Sequence, residues 1–152
     1  MKYLVLCLIV AASHAGVLKD EESKNIPRAN LQRLIAIDPP GFIVEWLPVE
    51  SMDPGEPVIG YKVKVWEQQS KKSYSYQNVD GENKLVEKDI LEKLPKNDIP
   101  SFAPIELDVK GADTTSIEYK NIKRGIEYEV RVQAYSSKGR GPLSGEMTIQ
   151  LS

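Results

Sequence analysis

Apolar and polar residues alternate along much of this chain. In GFIVEWL, Phe42, Val44 and Trp46 fall on one face; in IGYKVKVW, Ile59, Tyr61, Val63 and Val65 do. In YEVRVQA, Tyr128, Val130, Val132 and Ala134 share a face, and Glu127, Glu129, Arg131 and Gln133 share the opposite one. Successive side chains of a strand point to opposite faces, so this period of two predicts half-buried strands whose apolar sides meet in one core. Ile117, Tyr119 and Ile122 supply a further inward set. PVESMDPGEPV, rich in proline, separates the first two stretches and predicts a turn-rich connection.

The pattern changes between Glu67 and PIELDVKGADT, which reads as a short edge strand ahead of Thr115. Inside this stretch SYSYQNV alternates and Asp80-Gly81 marks a turn. Asn83 is placed to cap a helix running to Leu94, with Val86, Ile90, Leu91 and Leu94 as its apolar stripe and Pro95 as its stop. The expectation is therefore a set of strands interrupted by a segment that contains one short helix.

The first fifteen residues stand apart. Lys2 precedes an uncharged, mostly apolar run from Tyr3 to Ala12, and the small residues Ala12, Ser13 and Ala15 lead to Gly16. That is the layout of a secretory signal peptide, with cleavage expected after Ala15. The run is shorter than the about 20 residues a membrane-spanning helix needs, and MTIQLS at the other end is not the apolar tail of a glycolipid-anchored precursor. A secreted, extracellular protein without a membrane anchor is expected. Residues 16–27 (GVLKDEESKNIP) are polar and proline-bounded and read as a flexible lead, which puts the domain at 28–152.

Composition narrows the chemistry. The chain holds one cysteine and one histidine, Cys7 and His14, and both lie in the segment expected to be removed. What remains has no thiol nucleophile, no Ser-His pair, no His-ligated zinc and no disulfide, so an enzyme is not expected and no cofactor or metal is implied. The net charge of −2 becomes one unit more negative when Lys2 leaves, with both signs interspersed. No basic stripe suited to nucleic acid is present. Acidic pairs such as Glu21-Glu22 sit in the lead and read as solubilising charge, not as paired glycosidase carboxylates.

Several spaced residues together resemble the fibronectin type III family. Trp46 lies in the second strand, Tyr61 opens the third, Ile122 precedes Tyr128 by six positions, and Gly139, Gly141, Pro142 and Ser144 form a Gly-x-Gly-Pro-x-Ser turn into the last strand. The resemblance spans roughly Arg28 to Ser152 and is nearest in flavour to the modules of contactin-like adhesion proteins. It implies an all-β, immunoglobulin-like sandwich of seven strands, with Trp46 in the core and Tyr128 bonding to backbone a few residues upstream. Arg124 departs from the proline the family usually has before Gly125. Against that pattern, residues 68–103 are an insertion between the third strand and the edge strand, and the predicted helix lies inside it.

The resemblance implies an extracellular protein-binding module: a ligand, decoy or modulator whose partner is an extracellular or cell-surface protein. Two surfaces are candidates. With Val63 and Val65 inward, Trp66 faces outward beside Lys64 and Arg131, where an exposed Trp near Arg would make an anchor. The plainer reading puts Trp66 under the insertion or turns it inward by a bulge. The insertion, through Val86, Ile90 and Leu91, is the other candidate, although an apolar helical stripe more often covers an open sheet edge. An alternative function is a carrier holding a small apolar ligand between the sandwich and the insertion helix.

Overall fold

The computed structural model describes residues 21–38 and 40–152. The expected signal segment 1–15, with Cys7 and His14, and residues 16–20 of the lead lie outside the described residues.

The alternating stretches form strands. They are β1 (Leu31–Ile37), β2 (Gly41–Trp46), β3 (Gly60–Glu67), β4 (Ser70–Val79), β5 (Glu82–Leu91), β6 (Ile105–Lys110), β7 (Ser116–Lys120), β8 (Glu127–Tyr135) and β9 (Met147–Gln150). One sheet has the order β1-β2-β7, a second β6-β3-β8-β9, and β4 and β5 pair only with each other. All the pairings are antiparallel. Without the β4–β5 pair, this is the two-layer, seven-strand sandwich that the resemblance implies.

The inward faces are as the alternation predicts except at Ile59, which precedes β3 and is 40% exposed. Phe42, Val44, Tyr61, Val63, Val65, Val130, Val132 and Ala134 are fully buried between the layers, and Trp46 and Tyr128 join them. Aromatic rings link the sheets: Phe42 lies 6.0 Å from Tyr128 and Trp46 5.3 Å from Tyr61, while Phe42 also lies 5.4 Å from Tyr119, its partner within one sheet, all tilted. Such offset contacts add about 0.5–1.5 kcal/mol each beyond the area they bury. Two of the tyrosine hydroxyls are occupied as well. Tyr61 accepts from the Val49 amide (3.0 Å) and donates to the Ala112 carbonyl (2.7 Å), and Tyr128 accepts from the Lys123 amide, five residues upstream, at 2.8 Å.

Residues 21–27, part of the stretch read as a flexible lead, are packed onto the sandwich. The Ser23 amide donates to the Arg140 carbonyl, the Arg140 amide donates to the Glu21 carbonyl, and Ile26 is buried in the core cluster. The Gly-x-Gly turn makes room for this segment. A side chain at Gly141 would place its Cβ 2.6 Å from Ile26 Cγ2, and one at Gly139 would collide with the Glu21 carbonyl. Glu56, buried below, accepts from Ser23 Oγ (2.8 and 2.9 Å) and Ser136 Oγ (3.0 Å), and the Ser23 bond first of all holds its carboxyl below the usual range.

The inserted segment differs from its predicted form. There is no helix among the described residues, and Asn83–Leu91 lies in strand β5, paired along its length with β4. The cause is local. Asp80 and Gly81 both have positive φ, 55° and 84°, the type I′ geometry whose twist matches a two-residue hairpin, and Asn78 Oδ1 accepts from the Gly81 amide at 3.0 Å. That turn brings SYSYQNV, a good strand former, alongside ENKLVEKDIL. The spacing of Val86, Ile90 and Leu91 fits either element. In the strand, Val86 and Ile90 take one face while Leu85 and Leu91 take the other.

Candidate binding surface

Trp66, Lys64 and Arg131 do lie on the outward side of the β6-β3-β8-β9 sheet, since they alternate with the inward valines and pair as Lys64↔Arg131 and Trp66↔Glu129. That side is not free. The chain returning from β5 to β6, residues 92–104, crosses over it. Trp66 Nε1 donates to the Phe102 carbonyl at 3.0 Å and Pro100 is buried. Trp66 is 2% exposed, so of its two readings the covered one describes the molecule. Arg131, also buried, donates to Glu129 (3.2 Å), Glu146 (3.0 Å) and the carbonyls of Asp98 and Ser144 (both 3.4 Å). Lys64 is half-buried. Trp66 and Arg131 bind the covering segment to the sheet.

The cover has a titratable group beneath it. Burial pushes the Glu129 carboxyl up to about 7, against the opposing pull of Arg131, and Glu146 beside it adds to the rise. As a carboxylate, Glu129 leaves Oε1 without a hydrogen-bond partner; as the neutral acid it has a proton that Glu146 can accept. Glu146 itself is held below the usual range, first by the Asn97 amide donating to it at 2.9 Å. A cleft of about 570 Å³ between cover and sheet is lined by Gln68, Lys93, Lys96, Glu127, Glu129 and Thr148 among others. Charged and polar side chains line it beside Leu94 and Pro95, and the helix on which an apolar-ligand carrier depended is replaced by the hairpin.

The β4–β5 hairpin is the second surface, and it is open. β4 follows β3 after Gln68 and Gln69, whose backbone still bonds to Glu127 and Glu92, and from Ser70 onward it pairs with β5 alone. At about 3.4 Å per residue, ten paired residues form a ribbon about 34 Å long. No residue of β4 or β5 is buried. Directly opposed residues share a face, so one face carries Tyr74, Tyr76, Leu85 and Leu91, with exposures of 59, 76, 58 and 44%. The other face carries Val86 and Ile90, both half-buried, and Val79. Lys72 pairs with Glu87, and Lys71 with Glu92 at 3.0 Å, exposed ion pairs of small individual value.

Of the sequence-predicted insertion residues, Leu91 lies on the aromatic face, while Val86 and Ile90 lie behind it. Tyr74, Tyr76 and Leu85 were not singled out from sequence, although the alternation in SYSYQNV carried the signal. Among the described residues there is no group of three or more His, Cys, Asp or Glu that could hold a metal ion.

A family model described as "Fibronectin type III domain" matches residues 25–150. No curated protein sequence matches. Among solved structures, the chain is similar to the FN1-FN3 domains of chicken CNTN1, with 18% identity over 84% of this chain and a TM-score of 0.52. It spans 32% of that structure's chain. The third fibronectin III domain of human KIAA0343 protein is 17% identical over 88% of this chain and 83% of its own, with a TM-score of 0.49. A structure titled "Myokine structure" is 18% identical over 83% of this chain and 94% of its own, with a TM-score of 0.41.

Proposed function

The chain belongs to the fibronectin type III family, and on that premise we propose that it is a secreted module that binds an extracellular or cell-surface protein through its projecting hairpin. The observation that carries this reading is the exposed face of Tyr74, Tyr76, Leu85 and Leu91. Large apolar and aromatic side chains that face water on a protruding element are the groups from which protein interfaces draw most of their energy. Tyrosine suits such a surface because it brings contact area and a polar tip with few rotatable bonds. The sandwich would serve as a rigid base that holds the ribbon away from itself.

Secretion rests on the signal-peptide layout of residues 1–15, and no helix among the described residues is long and apolar enough to cross a membrane. Neither catalysis nor a cofactor enters this function, and nucleic acid is not the target.

The test is affinity capture from extracellular fluid and from cell surfaces. The bait is the chain, set beside a version in which Ser70–Leu91 is replaced by a short turn. Capture of a specific protein by the intact chain, lost in the shortened one while its melting is unchanged, is expected. Equal capture by both would move recognition to the sandwich loops.

A further inference from the structure

The hairpin offers an edge as well as a face. The Glu92 amide donates to the Gln69 carbonyl at 2.8 Å, and 69 and 92 continue the register in which Lys71 opposes Ile90 and Val79 opposes Glu82. Bonded and non-bonded pairs alternate in an antiparallel ladder. The odd-numbered residues of β4 therefore exchange bonds with β5. The even-numbered ones, Ser70, Lys72, Tyr74, Tyr76 and Asn78, turn their N–H and C=O groups to the open side. That side continues the edge of β3 that β8 covers, where the Gln68 amide donates to the Glu127 carbonyl at 2.9 Å.

Open strand edges are templates for pairing, and proteins ordinarily guard them with charge, proline or bulges. Two other edges are guarded. β6 carries Glu106 and Asp108 with their partners Lys62 and Arg140, and β5 interleaves Glu82, Lys84, Glu87, Lys88 and Asp89. β4 has no charge, proline or glycine from Ser73 to Val79, a run in which Tyr74, Tyr76 and Val79 are strong strand formers.

We propose that this chain forms a homodimer by pairing the open edge of β4 antiparallel with β4 of a second copy, about a two-fold axis at Ser75. The register is self-complementary. Tyr74 lies opposite Tyr76 of the second copy, Ser73 opposite Gln77, Lys72 opposite Asn78 and Lys71 opposite Val79, so no like charges meet. A β5 self-pair must place charges in every register: centred on Val86 it sets Lys84 against Lys88, centred on Glu87 it sets that carboxylate against itself, and centred on Leu85 it sets Glu82 against Lys88, whereas β4 is uncharged from Ser73 to Val79. The geometry is open as well. Each β4 begins opposite the tip of the other hairpin, which puts the two sandwiches at opposite ends of a four-stranded ribbon. One face of that ribbon then displays both copies of Tyr74, Tyr76 and Leu85. Self-pairing uses the backbone edge, so it stands whether or not the aromatic face binds another protein.

Sedimentation equilibrium of the mature chain beginning at Gly16, which has no cysteine, across micromolar to millimolar concentrations, tests this. Wild type should reach twice the single-chain mass. Tyr76→Pro removes an amide that faces the open edge and leaves the β4–β5 ladder whole, so it should raise the dissociation constant about tenfold or more. Ser75→Lys, which sets like charges together at the axis, should do the same and guards against a folding defect in the proline variant. Ser75→Cys should close a disulfide between copies, since 75 opposes itself in a non-bonded pair, where side chains approach most closely. A monomer at every concentration would overturn the proposal. So would a dimer indifferent to both Tyr76→Pro and Ser75→Lys, or a chain that stays monomeric and loses a different protein's binding on Tyr76→Pro.

Discussion

β3 and β4 run almost end to end, two residues apart, and both alternate, yet they live in different surroundings. In β3 the inward residues Tyr61, Val63 and Val65 are fully buried against a second layer, and even the outward Trp66 is covered by residues 92–104. In β4 no residue is buried, and Tyr74 and Tyr76 face solvent. Alternation specifies a strand in both cases, but only a facing layer turns a strand face into core. A ribbon of two strands is marginal in water. This one is held by its Asp80-Gly81 turn and cross-strand pairs, and it inherits little from the sandwich that carries it. The comparison separates a scaffold from an element that is free to recognise something.

The largest expected contrast is between core and ribbon. Phe42→Ala should lower the unfolding free energy by about 3–5 kcal/mol, whereas Tyr76→Ala should change it by about 0.5 kcal/mol or less, both read from urea denaturation. Shortening the insertion sharpens the boundary between the two regions. Replacing Ser70–Leu91 by a turn should leave the midpoint and the tryptophan emission unchanged. Extending the deletion to Phe102 removes the cover from Trp66 and should cost about 2 kcal/mol, with the emission shifted to the red as the ring meets water.

A smaller effect depends on pH and belongs to the covered sheet face. The folded Glu129 carboxyl, pushed up to about 7 from an ordinary 4.5, binds its proton more tightly than the unfolded chain does. Its contribution to stability is therefore fully present below pH 4.5 and is lost as pH rises through 7. Glu129→Gln, a permanent mimic of the neutral acid, should melt about 3 °C or more above wild type at pH 8 and together with it at pH 5. Glu56, Asp108 and Glu146, all held below the usual range, act in the opposite sense and lose their contribution only as pH falls below the ordinary values, 4.5 for the two glutamates and 3.8 for Asp108.

The sandwich was legible because its core faces repeat every second residue and the residues from Trp46 to Ser144 follow a family spacing. The insertion was legible only in part. Asp80-Gly81 announced its turn, but Val86, Ile90 and Leu91 fit a helical stripe as well as a strand, and nothing local decides between them until β4 supplies a backbone partner. The cover over Trp66 and Arg131 left no trace in the pattern of residues 92–104, because it holds on largely through the backbone carbonyls of Phe102 and Asp98, which any residue provides. Tyr74 and Tyr76 stood in plain alternation, but their exposure follows from the missing second layer, a property of the fold and not of those seven residues.

Native-state hydrogen exchange, resolved by residue at a concentration low enough to keep the chain monomeric, tests the separation of scaffold and ribbon most directly. The amides of β4 and β5 that bond across the hairpin should exchange through local opening, far faster than those of β3 and β8, which should wait for global unfolding. Equal protection in both regions would contradict the account, because it would make the hairpin part of the cooperative core and not a ribbon held out for a partner.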